Sequence, residues 1–171
     1  MGEKYFEAGK EYFLNFDGFG DELEILAVEE FFCIEVRGHR ITGIADLVLR
    51  HRESGEMIVI DHKSKSRKSM DKEMNHYRRQ LYIYAMFVHQ KWGQYPSKIV
   101  FNMFREGYIV EEAFDQAKLE ETEQWIEDLI GEIHAEELFL PMPNQYFCQF
   151  LCDVSKYCPV MGGDTEQEED E

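Results

Sequence analysis

Hydrophobic positions along the 171-residue chain recur with two different periods, and the changes of period mark the elements. Over Glu3–Phe16 the apolar residues Tyr5, Phe6, Ala8, Tyr12, Phe13 and Phe16 suggest an amphipathic helix, which Gly18 and Gly20 end. Leu23–Val36 reads as one long or bulged strand. Its apolar positions include Ile25, Ala27, Phe31 and Cys33, then, out of phase, Ile34 and Val36. A turn at Arg37-Gly38-His39 leads into a strand over Ile41–Arg50. Arg52-Glu53-Ser54-Gly55 supplies turn residues before another strand over Met57–Lys63. Ser69–Trp92 carries the longest helical stripe: Met70, Met74, Tyr77, Leu81, Tyr84, Val88 and Trp92. Ser69 is its expected N-cap, and Gly93 and Pro96 its stop. Two more strands follow, Ser97–Phe104 and Tyr108–Ala113, with a turn at Glu106-Gly107. Asp115 then caps a helix with Leu119, Trp125, Ile126, Leu129, Ile130 and Ile133 on one face. Residues 141–158 read as irregular. The order helix, three strands, helix, two strands, helix implies an α+β domain with a mixed central sheet flanked by helices. Residues 1–161 are expected to form one domain, and 162–171, acidic and free of apolar residues, a disordered tail.

The charges that break this pattern carry the chemistry. Asp46 interrupts the apolar run from Ile44 to Leu49, and Asp61 ends the run from Met57 to Ile60. Strand side chains alternate faces, so Asp61 and Lys63 share one and His62 points away. A turn centred between Glu53 and Ser54 sets Asp46 opposite Asp61, roughly 4.5–5.5 Å apart at Cβ. Two carboxylates that close repel unless something positive sits between them, and a hard cation such as Mg²⁺ or Mn²⁺ fits. Lys63 adds a donor where a general base or an oxyanion stabiliser could work.

The net charge is −17, from 35 acids against 18 lysines and arginines. That favours solubility and disfavours nucleic acid as a partner for the whole surface. Residues 62–79 are the exception, with Lys63, Lys65, Arg67, Lys68, Lys72, Arg78 and Arg79 against only Asp71 and Glu73. A phosphate backbone could lie there while the rest of the surface stays acidic. No run of eighteen apolar residues crosses a membrane, and the first residues lack an apolar signal core, so a cytoplasmic location is expected.

Gly43-Ile44-Ala45-Asp46, then Asp61-His62-Lys63, then Gln80 and Tyr84 four apart on a helix, together resemble the PD-(D/E)XK nucleases. The likeness covers roughly residues 24–110 and is nearest the RecB-like branch with its CRISPR-associated and phage exonucleases. It implies a restriction-endonuclease-like core and a Mg²⁺- or Mn²⁺-dependent deoxyribonuclease, exonuclease-like, in recombination, repair, phage or CRISPR settings. Asp46 and Asp61 would bind the metal, Lys63 would position or activate the attacking water, and Gln80 and Tyr84 would reach the site or the nucleic acid. Lys65, Arg67 and Lys68 would hold DNA, and a recombination or CRISPR complex would supply protein partners. This branch usually adds an acid or histidine from a preceding helix. Here Glu7, Glu11 and, on the first strand, Glu29 are the candidates, and an N-terminal part is expected to be missing. The alternative function is a non-catalytic nucleic-acid-binding or assembly module that keeps the fold. A third reading is a metal-binding interaction domain organised by the C-terminal cysteines.

Cys148, Cys152 and Cys158 form C-x3-C-x5-C, a spacing similar to that of relatives that hold a 4Fe–4S cluster. Zinc and free reduced thiols stay open for these three. Cys33 reads as a buried core cysteine.

Overall fold

The computed structural model describes residues 2–16 and 18–161. The expected acidic tail lies outside them. Its elements are α1 (Gly2–Asn15), β1 (Leu23–Val36), β2 (His39–His51), β3 (Met57–His62), α2 (Arg67–Lys72), α3 (Met74–Trp92), β4 (Lys98–Met103), β5 (Tyr108–Ala113), α4 (Gln116–Ala135) and α5 (Gln145–Phe150). The chain divides into two compact units between Ile130 and Gly131, within α4.

In the first unit a five-stranded sheet keeps chain order, β1-β2-β3-β4-β5. The first three strands form the expected antiparallel meander. β3 and β4 pair in parallel, and α2 and α3 fill the connection that a parallel pair requires. β5 returns antiparallel to β4. The sheet is therefore mixed, and the domain is the α+β type that the periodicity implied.

α3 covers one face. Its stripe Tyr77, Leu81, Tyr84 and Val88 is buried against Val48, Val59, Ile99 and Phe101 of the sheet, with Leu119 and Ile126 of α4 completing the core. Each such side chain contributes roughly 1.5–3 kcal/mol on burial. The other face holds a smaller cluster, Leu47, Leu49, Ile60 and Val100, with Phe19, Leu23 and Ile58 at its edge.

The structure departs from the sequence pattern at several points, among them α5, which forms inside the stretch 141–158 that reads as irregular. The helix expected over Ser69–Trp92 is two helices broken at Glu73, whose φ −123° and ψ 17° lie outside the helical range. Ser66, not Ser69, is the N-cap, because its extended backbone lets Oγ accept from the Ser69 amide. Gly93 ends α3 in a left-handed conformation, φ 79°, as expected. Cys33 is exposed rather than in the core. Glu29 has φ 47°, and across it the inward positions of β1 change parity, from Ala27 to Phe32, Ile34 and Val36. α1 forms where its pattern lies, but Phe6 and Phe13 are exposed. At the far end of α4, Ile133 is exposed as well.

The second unit has no buried hydrophobic side chain among its described residues. It contains the end of α4, then α5, N-capped by Asn144 Oδ1 accepting from the Phe147 amide at 2.9 Å, and two short 3₁₀ turns. No helix among the described residues is long and apolar enough to cross a membrane.

Candidate active site

The β2–β3 ladder sets Arg50 opposite Met57 and Leu47 opposite Ile60, the register that the turn implied. One step further it would set Asp46 opposite Asp61. The strands stop pairing there, and the freed His62 amide donates instead to Asp46 Oδ2 at 2.8 Å. The neighbouring Lys63 amide donates to the Asn102 carbonyl of β4 at 2.9 Å. These two amides thus tie the end of β3 to Asp46 on one side and to β4 on the other.

β2 carries a local irregularity at Asp46. The β1–β2 ladder passes from Val28↔Leu47 to Glu30↔Ala45 without pairing Glu29 to Asp46. Ala45 and Val48 both belong to the α3-side core, so inward parity also changes in β2, beside the left-handed Glu29. The register is the same on both sides of this unpaired Glu29–Asp46 step; the one-residue register shift of the ladder lies earlier, between Ile25 and Ala27. Gly43 is required close by: a Cβ there would lie 2.5 Å from the Phe32 ring. That ring stacks on Phe87, with centroids 4.9 Å apart, and meets Tyr84 edge-on at 6.0 Å. The glycine of the Gly43–Asp46 motif therefore makes room for the ring that supports Tyr84.

Asp61 is 1% exposed. The Lys63 ammonium donates to its Oδ1 at 3.0 Å and lies 2.8 Å from Oδ2, but off the angle of a hydrogen bond, so Oδ2 is buried without a hydrogen-bond partner. Lys63 also donates to Gln80 Oε1 at 2.8 Å. Gln80 Nε2 donates to the Tyr84 hydroxyl at 2.7 Å, and Tyr84 reaches Asp46 Oδ1 at 3.4 Å. The five candidates Asp46, Asp61, Lys63, Gln80 and Tyr84 form one connected network. Gln80 and Tyr84 face it together because they are one helical turn apart.

Burial pushes the Asp61 carboxyl up to about 6; the hydrogen bond and charge of Lys63 oppose this, and the Asp46 charge adds to it. Burial, with the charges of Asp46 and Asp61, also raises the Tyr84 phenol, against the Gln80 hydrogen bond. Tyr84 keeps its proton and acts as a donor. An orphaned buried carboxylate oxygen beside a second acid is a donor set that a hard divalent cation fits.

The remaining candidates divide. Glu11 lines a cavity on the opposite side of the sheet, and Glu7 pairs with Lys10 on α1. Glu29 lies across from Asp46 but is exposed. Lys65 is engaged by Glu73 at 3.3 Å and by the Tyr77 hydroxyl, while the Arg67 guanidinium lies 4.4 Å from the Tyr108 ring centre. Lys68 is exposed. Arg78, by contrast, is a structural tie, bidentate to Glu112. The described residues contain no group of three or more His, Cys, Asp or Glu placed to hold a metal, so Cys148, Cys152 and Cys158 do not converge as a ligand set. The pattern also missed the polar chain behind the site, where Asn102 Nδ2 lies 3.0 Å from His62 Nδ1 and donates to the Tyr12 hydroxyl at 2.8 Å. Only the opposite parity of His62 hinted at it.

A mixed sheet with paired acids and a lysine at one strand end, faced by a Gln–Tyr helix, defines a class of phosphodiester-cleaving folds. The family model of the PD-(D/E)XK nuclease superfamily matches residues 2–159, and the chain belongs to that superfamily. No curated protein matches the chain.

Proposed function

We propose that the protein is a metal-dependent DNA nuclease whose reacting centre is Asp46, Asp61 and Lys63. The observation that carries this reading is the buried Oδ2 of Asp61, which accepts no hydrogen bond although the Lys63 ammonium lies 2.8 Å away, next to Asp46. Nucleases of this superfamily usually use Mg²⁺ or Mn²⁺, and Asp46 and Asp61 would hold the ion. When bound, it would lower the pKa of a water and neutralise charge on the scissile phosphate.

The chain's own residues do the rest. Lys63 presents its ammonium between Asp61 and Gln80, where it stabilises negative charge developing on the phosphate and keeps the attacking water in place. Gln80 fixes the direction of that ammonium by accepting one of its protons. Tyr84, protonated, holds Asp46 from the helix side while the His62 amide holds it from the strand side. The hydrogen bonds preorganise the acids before any substrate arrives. Lys65, Arg67 and Lys68 follow directly on the strand end and supply the phosphate contacts that an otherwise acidic surface lacks. An exonuclease-like action in recombination, repair, phage or CRISPR settings fits this reading.

The test is cleavage of labelled DNA in Mg²⁺ or Mn²⁺ by the full chain and by Lys63→Ala. Wild type should cleave, and the variant should lose about 10²–10³-fold in kcat, the scale of one preorganised charge donor, with its thermal unfolding unchanged. A variant that cleaves at the wild-type rate would show that this strand end is not the reacting centre.

A further inference from the structure

Tyr77 stands outside the network described above, yet two of the basic side chains meet on it. It is one turn before Gln80 and Leu81 on α3, buried to 8% exposure, and part of the core on that face. The Lys63 ammonium lies 5.0 Å from its ring centre and the Lys65 ammonium 4.9 Å. The Lys63 distance is within the range of a cation–π attraction, whereas Lys65 meets the other end of the side chain and donates to the Tyr77 hydroxyl. The two ammonium groups are therefore no more than 9.9 Å apart, one facing the acid pair and the other the solvent.

The tyrosine hydroxyl has its own partners. It donates to Glu73 Oε2 at 2.8 Å, and the same carboxylate oxygen takes Lys65 at 3.3 Å. Glu73 is the residue at which the α2–α3 helix breaks, and its side chain is 55% exposed. The break opens a concavity of about 870 Å³, with Lys65, Lys72, His76 and Arg78 on its walls. Glu73 thus places a carboxylate, exposed and free to swing out, on the one lysine that Tyr77 pairs with Lys63. Carboxylate and phosphate oxygens make the same kind of charge-assisted bond to an ammonium.

We propose that Tyr77 is a positioning residue that holds Lys63 at the reacting phosphate and Lys65 at a neighbouring phosphate of the same strand, and that Glu73 stands in for that second phosphate in the free protein. This rests on the nuclease reading. DNA displaces the Glu73 carboxylate from Lys65, and Tyr77, with its ring toward Lys63 and its hydroxyl on Lys65, keeps the two ammonium groups in register while it does so. The ring serves turnover, through Lys63. The hydroxyl and Glu73 serve binding, through Lys65.

The experiment measures cleavage kinetics in Mg²⁺ and, in Ca²⁺, binding of a fluorescein-labelled oligonucleotide over a salt series, for the full chain and three variants. Tyr77→Leu, which removes the ring, should lose about ten-fold in kcat, the scale of a partly desolvated cation–π contact. Tyr77→Phe, which restores the ring without the hydroxyl, should recover most of that loss and differ from wild type chiefly in KM. Glu73→Gln should bind the oligonucleotide several-fold more tightly, with a salt slope steeper by about one unit, because Lys65 then exchanges counterions rather than a carboxylate for the phosphate. Equal losses of kcat in Tyr77→Leu and Tyr77→Phe would overturn the role of the ring. Unchanged affinity and slope in Glu73→Gln would overturn the stand-in. A wild type that binds but does not cleave would remove the nuclease reading alone, and Glu73→Gln would still decide this one. No binding by either protein would overturn both.

Discussion

The two faces of the sheet are built to different standards. On the α3 face, Tyr77, Leu81, Tyr84 and Val88 close over Val48, Val59 and Phe101 with essentially no exposure, and the acid pair sits at the end of that packed layer. On the other face, Leu47, Leu49, Ile60 and Val100 are covered incompletely. A cavity of about 660 Å³ remains between them and α1, and Ile25, Val28, Phe31, Ile44 and Ile109 stay exposed. The difference teaches why the site lies where it does. A carboxylate such as Asp61 gains a perturbed affinity for protons and cations only where water is excluded and the surrounding dipoles are fixed. The open face offers neither, and the polar chain Tyr12–Asn102–His62 that it carries is anchored to the back of the same strand end.

The comparison breaks most visibly in stability. Leu81→Ala, on the closed face, should cost about 2–5 kcal/mol, because a fully buried leucine leaves a cavity that its neighbours cannot fill. Ile109→Ala, on the open face, should change stability by less than about 0.5 kcal/mol. Urea unfolding of both variants checks this. Similar costs would mean that the open face is packed as tightly as the closed one.

A smaller effect sharpens it through pH. The folded carboxyl of Asp61 titrates at about 6, above the ordinary 3.8, so in metal-free protein the folded state binds the extra proton between those values. Its stabilisation is fully present below about pH 4 and is lost as pH rises through about 6. Measured in EDTA, the stability of wild type relative to Asp61→Asn should therefore fall by about 2–3 kcal/mol from pH 4 to 7.5. A constant difference would show that the carboxylate is solvated.

Most of the closed face could be read from the sequence. The α3 stripe, the meander, the β2–β3 register and the shared face of Asp46, Asp61 and Lys63 follow from two periods and one turn, since burial enforces parity; Gln80 and Tyr84 were singled out by likeness to the superfamily. What could not be read depends on single backbone torsions. Glu29 looks like any strand glutamate, yet its φ of 47° changes the parity of β1 and leaves Cys33 outside the core. Glu73 lies within an unbroken helical pattern, and only its torsions, φ −123° and ψ 17°, reveal that the helix parts there. The Gly43 motif was recognised by likeness, but its cause is the Phe32 ring, which belongs to another strand. The cysteine spacing in residues 148–158 suggested a cluster, but spacing along a chain does not make thiols converge.

The central claim is that the acid pair on the closed face is a cation site. Calorimetric titration of Mn²⁺ into wild type and Asp61→Ala tests it most directly, since it requires neither substrate nor turnover. The account predicts a saturable site in the wild type, and in the variant only the weak, salt-sensitive heat of a chain with 35 acids. Equal binding by both proteins would contradict it, because the ion would then be held by the acidic surface and not by Asp46 and Asp61.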